Sequence, residues 1–192
     1  MYLNQLLLQH FHKFITGEAV IRYRNAAGRW INKTFVSRKD NVIVQLFESQ
    51  GGKLFSLDLS LIDQWMGLQD DAARITTDLS EGWMTACCKY RLTARGYEGT
   101  TRVVCEGGKV AWLEDVVRCS NAKRIILLTR IADLDDFAKS EIAAMQASLC
   151  ELPADYGRLL QRHVSLHRAA MERMVLDLDQ SDDRYLSSEA VS

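Results

Sequence analysis

Between Ala19 and Lys39 the chain carries six basic residues, Arg22, Arg24, Arg29, Lys33, Arg38 and Lys39, and no acid. Successive side chains of a strand point to opposite faces, so Ile21 and Tyr23 share one face and Arg22 and Arg24 the other. Cations interleaved with Tyr23, Trp30 and Tyr97 suit a phosphate-bearing ligand or a nucleic-acid backbone, with the aromatic rings stacking on bases. The solvated face of a half-exposed sheet presents the same residue types. A second, weaker basic set follows, in which Lys89, Arg91, Arg95, Arg102 and Lys109 are opposed by Glu98 and Glu106.

Other constellations carry less chemistry. His163 and His167 stand four apart on a helical pattern, a spacing that can chelate a metal, but no Glu or Cys stands at a third ligand position. His167 is therefore expected to fill a gap in an apolar seam, with His163 on its rim. Five cysteines (Cys87, Cys88, Cys105, Cys119, Cys150) form no CxxC pair, and nothing local couples a thiol to a histidine base. G-x-S-x-G, phosphate-loop and dinucleotide fingerprints are absent, so the sequence gives no catalytic, metal or cofactor assignment and a non-enzyme is expected.

The 192 residues are 47% hydrophobic and 26% charged with a net charge of −1, so any electrostatic argument is local rather than global. No run approaches the roughly 18 apolar residues of a membrane span, and the opening lacks the basic region of a secretory signal. Reduced thiols in a cytoplasmic protein are the expectation.

These residues need elements to position them, and the pattern supplies a repeat. Arg22–Val36 recurs loosely as Lys89–Val104, each with a basic–Tyr–Arg strand, a glycine turn (Gly28, Gly96) and a basic return strand. Strands are expected at Ala19–Arg24, Trp30–Val36, Asn41–Phe47 and Leu54–Leu59, the last two joined by a hairpin loop at Ser49–Lys53. A second set is expected at Met84–Leu92, Thr100–Cys105, Lys109–Cys119 and Lys123–Ile131. Apolar residues at Leu3, Leu6, Leu7, Phe11, Phe14 and Ile15 predict an N-terminal helix stopped at Gly17. A short helix is expected between Gln69 and Leu79. Two more follow on either side of Pro153, the longer one running from Ala154 to Leu178 with Leu160, Val164, His167, Met171, Met174 and Leu178 along its seam.

The repeated unit resembles the WYL-type domain, an Sm-like β-barrel of bacterial transcriptional regulators and phage-defence proteins. The resemblance is carried by Ile21-Arg22-Tyr23 with Gly28 in one copy. In the other it is carried by Tyr90, Gly96, Arg102, Ala111-Trp112-Leu113 and Arg124–Ile131. It implies a sensor or effector module for nucleic acid or a nucleotide-like ligand, with Arg22, Arg24, Arg102, Arg124 and Arg130 as contacts.

The expected fold is α+β: an N-terminal helix, two small antiparallel β modules (SH3/Sm-like barrels or bent sheets) and a C-terminal helical pair. The corresponding units are 1–66, 67–134, 135–180 and an acidic tail, 181–192. The expected function is a non-enzymatic regulatory or binding protein with a basic β face formed by Arg22, Tyr23, Arg24, Arg29, Trp30, Lys33, Arg102, Arg124 and Arg130. The alternative is a protein–protein adaptor or chaperone-like assembly subunit, with a partner or a second copy on residues 154–178.

Overall fold

The computed structural model describes residues 7–25, 28–61, 72–80 and 82–173. Its largest element is an antiparallel sheet built from β1 (Leu7–Lys13), β2 (Glu18–Asn25), β3 (Gly28–Ser37), β4 (Val42–Ser49), β6 (Ala73–Ser80), β7 (Trp83–Tyr90), β8 (Gly96–Glu106) and β11 (Arg124–Leu134). The order across this sheet is β1-β2-β3-β4-β11-β8-β7-β6. A three-stranded sheet, β5-β10-β9, combines Phe55–Leu59, Val117–Ala122 and Lys109–Trp112. Two helices close the described chain, α1 (Ile142–Cys150) and α2 (Tyr156–Met171).

Alternation along the central strands produces three layers. On one face of the large sheet Val42, Val44, Leu46, Ile126 and Leu128 pack with Leu149 of α1 and Tyr156 and Leu159 of α2. On the opposite face Met84, Ile125 and Leu127 pack with Leu59, Val117 and Cys119 of the small sheet. β11 contributes to both cores, so Ile125 to Leu128 are four consecutive buried residues. That continuous apolar run is what a strand covered on both faces requires.

This architecture corrects the expected fold class. The two anticipated modules do not close as separate Sm-like barrels: β4 of the first pairs with β11 of the second, Val44 opposite Leu128, and β5 pairs with β10. The two repeat copies are the β2–β3 and β7–β8 hairpins, lying on opposite sides of the β4–β11 seam. Nor do β4 and β5 form a hairpin. Gly51 and Gly52, with φ of +105° and +72°, carry the chain from one sheet to the other.

There is no N-terminal helix among the described residues. Leu7–Lys13 is an edge strand paired with β2 over seven residue pairs, and residues 1–6 lie outside the described chain. Positions four apart are in phase in a strand as well as in a helix, so a short apolar pattern does not separate the two. Isolated helices this short are marginal, whereas β2 offers a full ladder of hydrogen bonds. Gly17, at φ +63°, belongs to the β1–β2 turn rather than to a helix end. The expected helix between Gln69 and Leu79 is likewise corrected: from Ala73 onward the chain is the other edge strand, consistent with β-branched Ile75, Thr76 and Thr77.

The helical pair lies where Pro153 divides it, but with shorter limits. α1 is held at both ends by one strand. Glu98 accepts hydrogen bonds from the Glu141 N–H (2.9 Å) and Ser140 Oγ (3.0 Å), and Arg102 Nη1 donates to the carbonyls of Leu149 and Leu152. The carboxylate thus faces the positive end of α1 and the guanidinium its negative end. Four strand residues span roughly 13 Å, and nine helical residues about the same length.

α2 starts at Asp155, whose side chain accepts from the Arg158 N–H at 3.0 Å. Its buried row is Tyr156, Leu159 and His163; Leu160, Val164 and His167 are half-buried and Met171 is exposed. Met174 and Leu178 of the expected seam lie outside the described residues. His163, not His167, is therefore the enclosed histidine. Its ring stacks on Phe35 (5.2 Å between centroids) and its Nδ1 accepts from the Arg38 backbone N–H at 3.1 Å. His167 Nδ1 accepts from Arg38 Nε at 3.3 Å, and its Nε2 lies 2.8 Å from the Phe14 carbonyl. The two rings tie α2 to both flanking turns. Among the described residues no group of three or more His, Cys, Asp or Glu is placed to hold a metal.

Burial, His167 and Arg38 together push the His163 pKa down, against the opposing pull of the Thr16 carbonyl and Glu18. The folded protein therefore keeps this ring neutral where the unfolded chain, with its ordinary value near 6.5, takes up a proton. Stability is expected to be fully present above about pH 6.5 and to fall below it. The limiting slope is about 1.4 kcal/mol per pH unit until the lowered folded pKa is passed. Urea denaturation between pH 5 and 8 measures this slope. A His163→Gln variant that kept the wild-type slope would show that another group produces it.

Candidate ligand-binding clefts

The nine residues singled out from the sequence divide into four places. Tyr23 and Trp30 are direct cross-strand partners and stack, with centroids 5.9 Å apart and planes 16° from parallel. They lie on the small-sheet face of β2 and β3, where they floor a cleft of about 410 Å³. Ser49 closes the cleft beside Trp30, and Lys53, Leu54, Phe55, Ser56 and Leu57 form the opposite wall. Local sequence explains the ring geometry. The indole lies over Gly28, where an added Cβ would meet Trp30 Cη2 at 3.3 Å, so a side chain at position 28 crowds the ring. Burial raises the Tyr23 pKa, which keeps its hydroxyl a neutral donor and acceptor at physiological pH.

Arg22, Arg24 and Arg29 are exposed on the opposite face of the same strands, the face that carries the helices. Arg24 and Arg29 are direct cross-strand partners. Like charges so placed repel each other, and a bound anion relieves that repulsion. The arginines and the aromatic stack therefore do not line one surface; the sheet lies between them.

Lys33 and Arg124 occupy a third place, beside the start of α2. Lys33 Nζ contacts Glu48 Oε1 at 2.9 Å, and Arg124 lies 3.6 Å from Glu48 and 3.7 Å from Glu106.

Arg102 and Arg130 occupy the fourth, in the packing between sheet and helices. Arg102 holds the α1 carbonyls, and Arg130 Nη2 donates to the Asp40 carbonyl at 2.8 Å. Asp40 in turn is buried and paired through Oδ1 with Arg162 at 2.6 Å. Arg130 and Asp40 join β11 to the β3–β4 turn, and Arg162 adds α2.

The far wall of the aromatic cleft carries no signal of its position in the local sequence. Ser49–Lys53 reads as a hairpin loop, and only the crossing of β5 into the small sheet brings Lys53 to Leu57 opposite Trp30. Alternation of Phe55, Leu57 and Leu59 does mark one apolar face of β5, but not which sheet that face meets. Outside the clefts, Cys119 is pushed up to about 12 by burial and by Cys105, and Cys87 is raised by burial and by Glu98 and Asp78. Both are therefore held as thiols rather than thiolates. No helix among the described residues is long and apolar enough to cross a membrane.

No protein-family model and no curated protein matches the chain. Among solved structures, the fold is similar to that of a protein named as a kojibiose phosphorylase from the human microbiome. The TM-score is 0.60 at 11% identity, over 85% of this chain and 25% of that one. The chain thus spans about a quarter of that protein's length, and the likeness is one of fold.

Proposed function

We propose that the chain is a non-enzymatic binding module of a carbohydrate-active protein, holding a sugar ring on the Tyr23–Trp30 floor. The observation that carries this reading is the stacked pair itself, placed at the bottom of a cleft between two sheets. Flat aromatic faces supply apolar contact to the C–H face of a sugar, while polar groups at the margin meet its hydroxyls. Ser49, Ser56 and Lys53 are the margin here. The similarity of the fold to part of a protein named for kojibiose supports the choice of ligand class. A nucleobase offers a comparable flat face, so the ligand class is decided by titration.

Titrating the protein with neutral disaccharides, kojibiose among them, and in parallel with nucleotides is expected to give a saturable tryptophan-fluorescence change with the sugars. Trp30→Ala is expected to weaken that binding at least tenfold, about 1.4 kcal/mol. Saturation by nucleotides alone would transfer the cleft to a base-stacking role. Sugar affinity unaltered in Trp30→Ala, read by calorimetry, would remove the proposal.

The Arg24–Arg29 pair favours a second reading, in which the helix-side face of β2 and β3 engages nucleic acid or another phosphate-bearing ligand. Its signature is affinity that falls steeply with salt and falls further when Arg24 and Arg29 are reversed to Glu.

A further inference from the structure

The place occupied by Lys33 and Arg124 has a property that neither reading uses. Glu48, Arg124 and Glu106 are direct cross-strand partners on β4, β11 and β8, so their side chains form a row of alternating charge across three adjacent strands. Lys33 adds a fourth charge to the row through Glu48. Above this row the start of α2 stands off from the sheet, leaving a cleft of about 580 Å³ whose rim includes Asp155 and whose floor includes Leu46 and Ile126. The cleft is on the helix side of the large sheet; the aromatic cleft is on the other.

The lining decides the ligand class. Two cations face three carboxylates, and the positive end of α2 offsets one of these, its N-cap Asp155, so the lining is close to neutral overall and favours neither an anion such as phosphate nor a cation. The carboxylates do not converge as a metal site, since no cluster of three or more ligating residues exists among the described residues. What remains is a neutral ligand rich in hydroxyls. Each hydroxyl donates one hydrogen bond and accepts two, so it can bridge a carboxylate to a neighbouring cation. The row has capacity for this. At 3.6 and 3.7 Å, the Arg124 contacts are ion pairs beyond the length of a charge-assisted hydrogen bond, so these part-exposed side chains keep donors and acceptors that a ligand hydroxyl can meet in place of water.

We infer that the Lys33–Glu48–Arg124–Glu106 cleft is a second binding site, specific for a neutral polyhydroxylated ligand such as a mono- or disaccharide. The inference stands on this charge row and cleft and does not depend on the Tyr23–Trp30 site, although both take the same class of ligand.

The test is calorimetric titration of the full chain with maltose, and separately with inorganic phosphate. It compares wild type, Trp30→Ala, the double variant Glu48→Gln/Glu106→Gln, and Arg124→Gln. These charged side chains are a quarter to a half exposed, and ion pairs of that kind contribute little to folding. Circular dichroism verifies that each variant keeps its sheet. The expected result is a maltose-binding event that survives Trp30→Ala, is weakened at least tenfold in both charge-row variants, and is not competed by phosphate. Survival of that event with no other would uphold this site while removing the aromatic one. A single event abolished by Trp30→Ala, no maltose binding at all, unchanged affinity in the charge-row variants, or competition by phosphate would each overturn the assignment.

Discussion

Phe35→Ala is expected to destabilise the protein by about 3–5 kcal/mol, the usual cost of deleting a buried aromatic side chain. Phe35 is 2% exposed, and it meets α2 twice: edge-on to Tyr156 with centroids 5.3 Å apart, and stacked on His163 at 5.2 Å. Truncation therefore opens a cavity under the helix and removes two ring contacts, each worth roughly 0.5–1.5 kcal/mol beyond its area. Tyr156 adds a second consequence, because its hydroxyl donates to buried Glu18 at 2.9 Å and depends on the same packing. Phe35→Leu keeps most of the volume and is expected to cost under about 1.5 kcal/mol. Denaturant unfolding, followed with near-ultraviolet circular dichroism, measures both. A loss of less than about 1 kcal/mol for Phe35→Ala would show that α2 is anchored elsewhere.

Gly96→Ala is expected to cost about 3 kcal/mol, at the upper end of overpacking effects. The new methyl group would collide with the Cys88 carbonyl oxygen and lie 2.6 Å from Phe137 Cδ2. The Phe137 ring can turn away, but the carbonyl belongs to β7 and is fixed by its place in the β7–β8 ladder. Combining the change with Phe137→Ala is therefore expected to recover only part of the loss. Full recovery in the double variant would identify the ring, not the strand backbone, as the obstacle.

Gly96 also illustrates what was legible in the sequence. Gly28 and Gly96 align as the turn glycines of the repeat, and both do lie at the return strand of a hairpin. Their tasks differ, one clearing space for the Trp30 indole and the other for the Cys88 backbone, and only the packing distinguishes them. Most strand positions were readable because alternation such as Val42, Val44, Leu46 survives wherever one face is buried. Pairing was not, since nothing in Asn41–Phe47 specifies that its second neighbour is Arg124–Leu134. The edge strand β1 was not legible because a seven-residue strand is too short for its period to be decisive. At the clefts, period 2 already separated Tyr23 from Arg22 and Arg24. The charge row, by contrast, brings together residues from four strands, including Glu48 and Glu106, which local sequence marks only as acids.

The β4–β11 seam has a consequence for how the protein is made. Strands β1 to β4 form a meander of local hairpins that can assemble as soon as they leave the ribosome. The outer side of β4, with Val44 and Leu46, then waits for Leu128 and Ile126, roughly 80 residues later in the chain. At translation rates of about 5–20 residues per second, that interval is on the order of 4–16 s. During it the nascent chain presents an unpaired, apolar strand edge, the kind of surface on which chains associate with one another. Closing the sheet also requires a contact of high sequence separation, which slows folding relative to the hairpins that precede it. The step that most exposes this protein to aggregation is thus the joining of its two halves, and expression at lower temperature or with a chaperone that shields strand edges should raise its yield more than changes at either cleft.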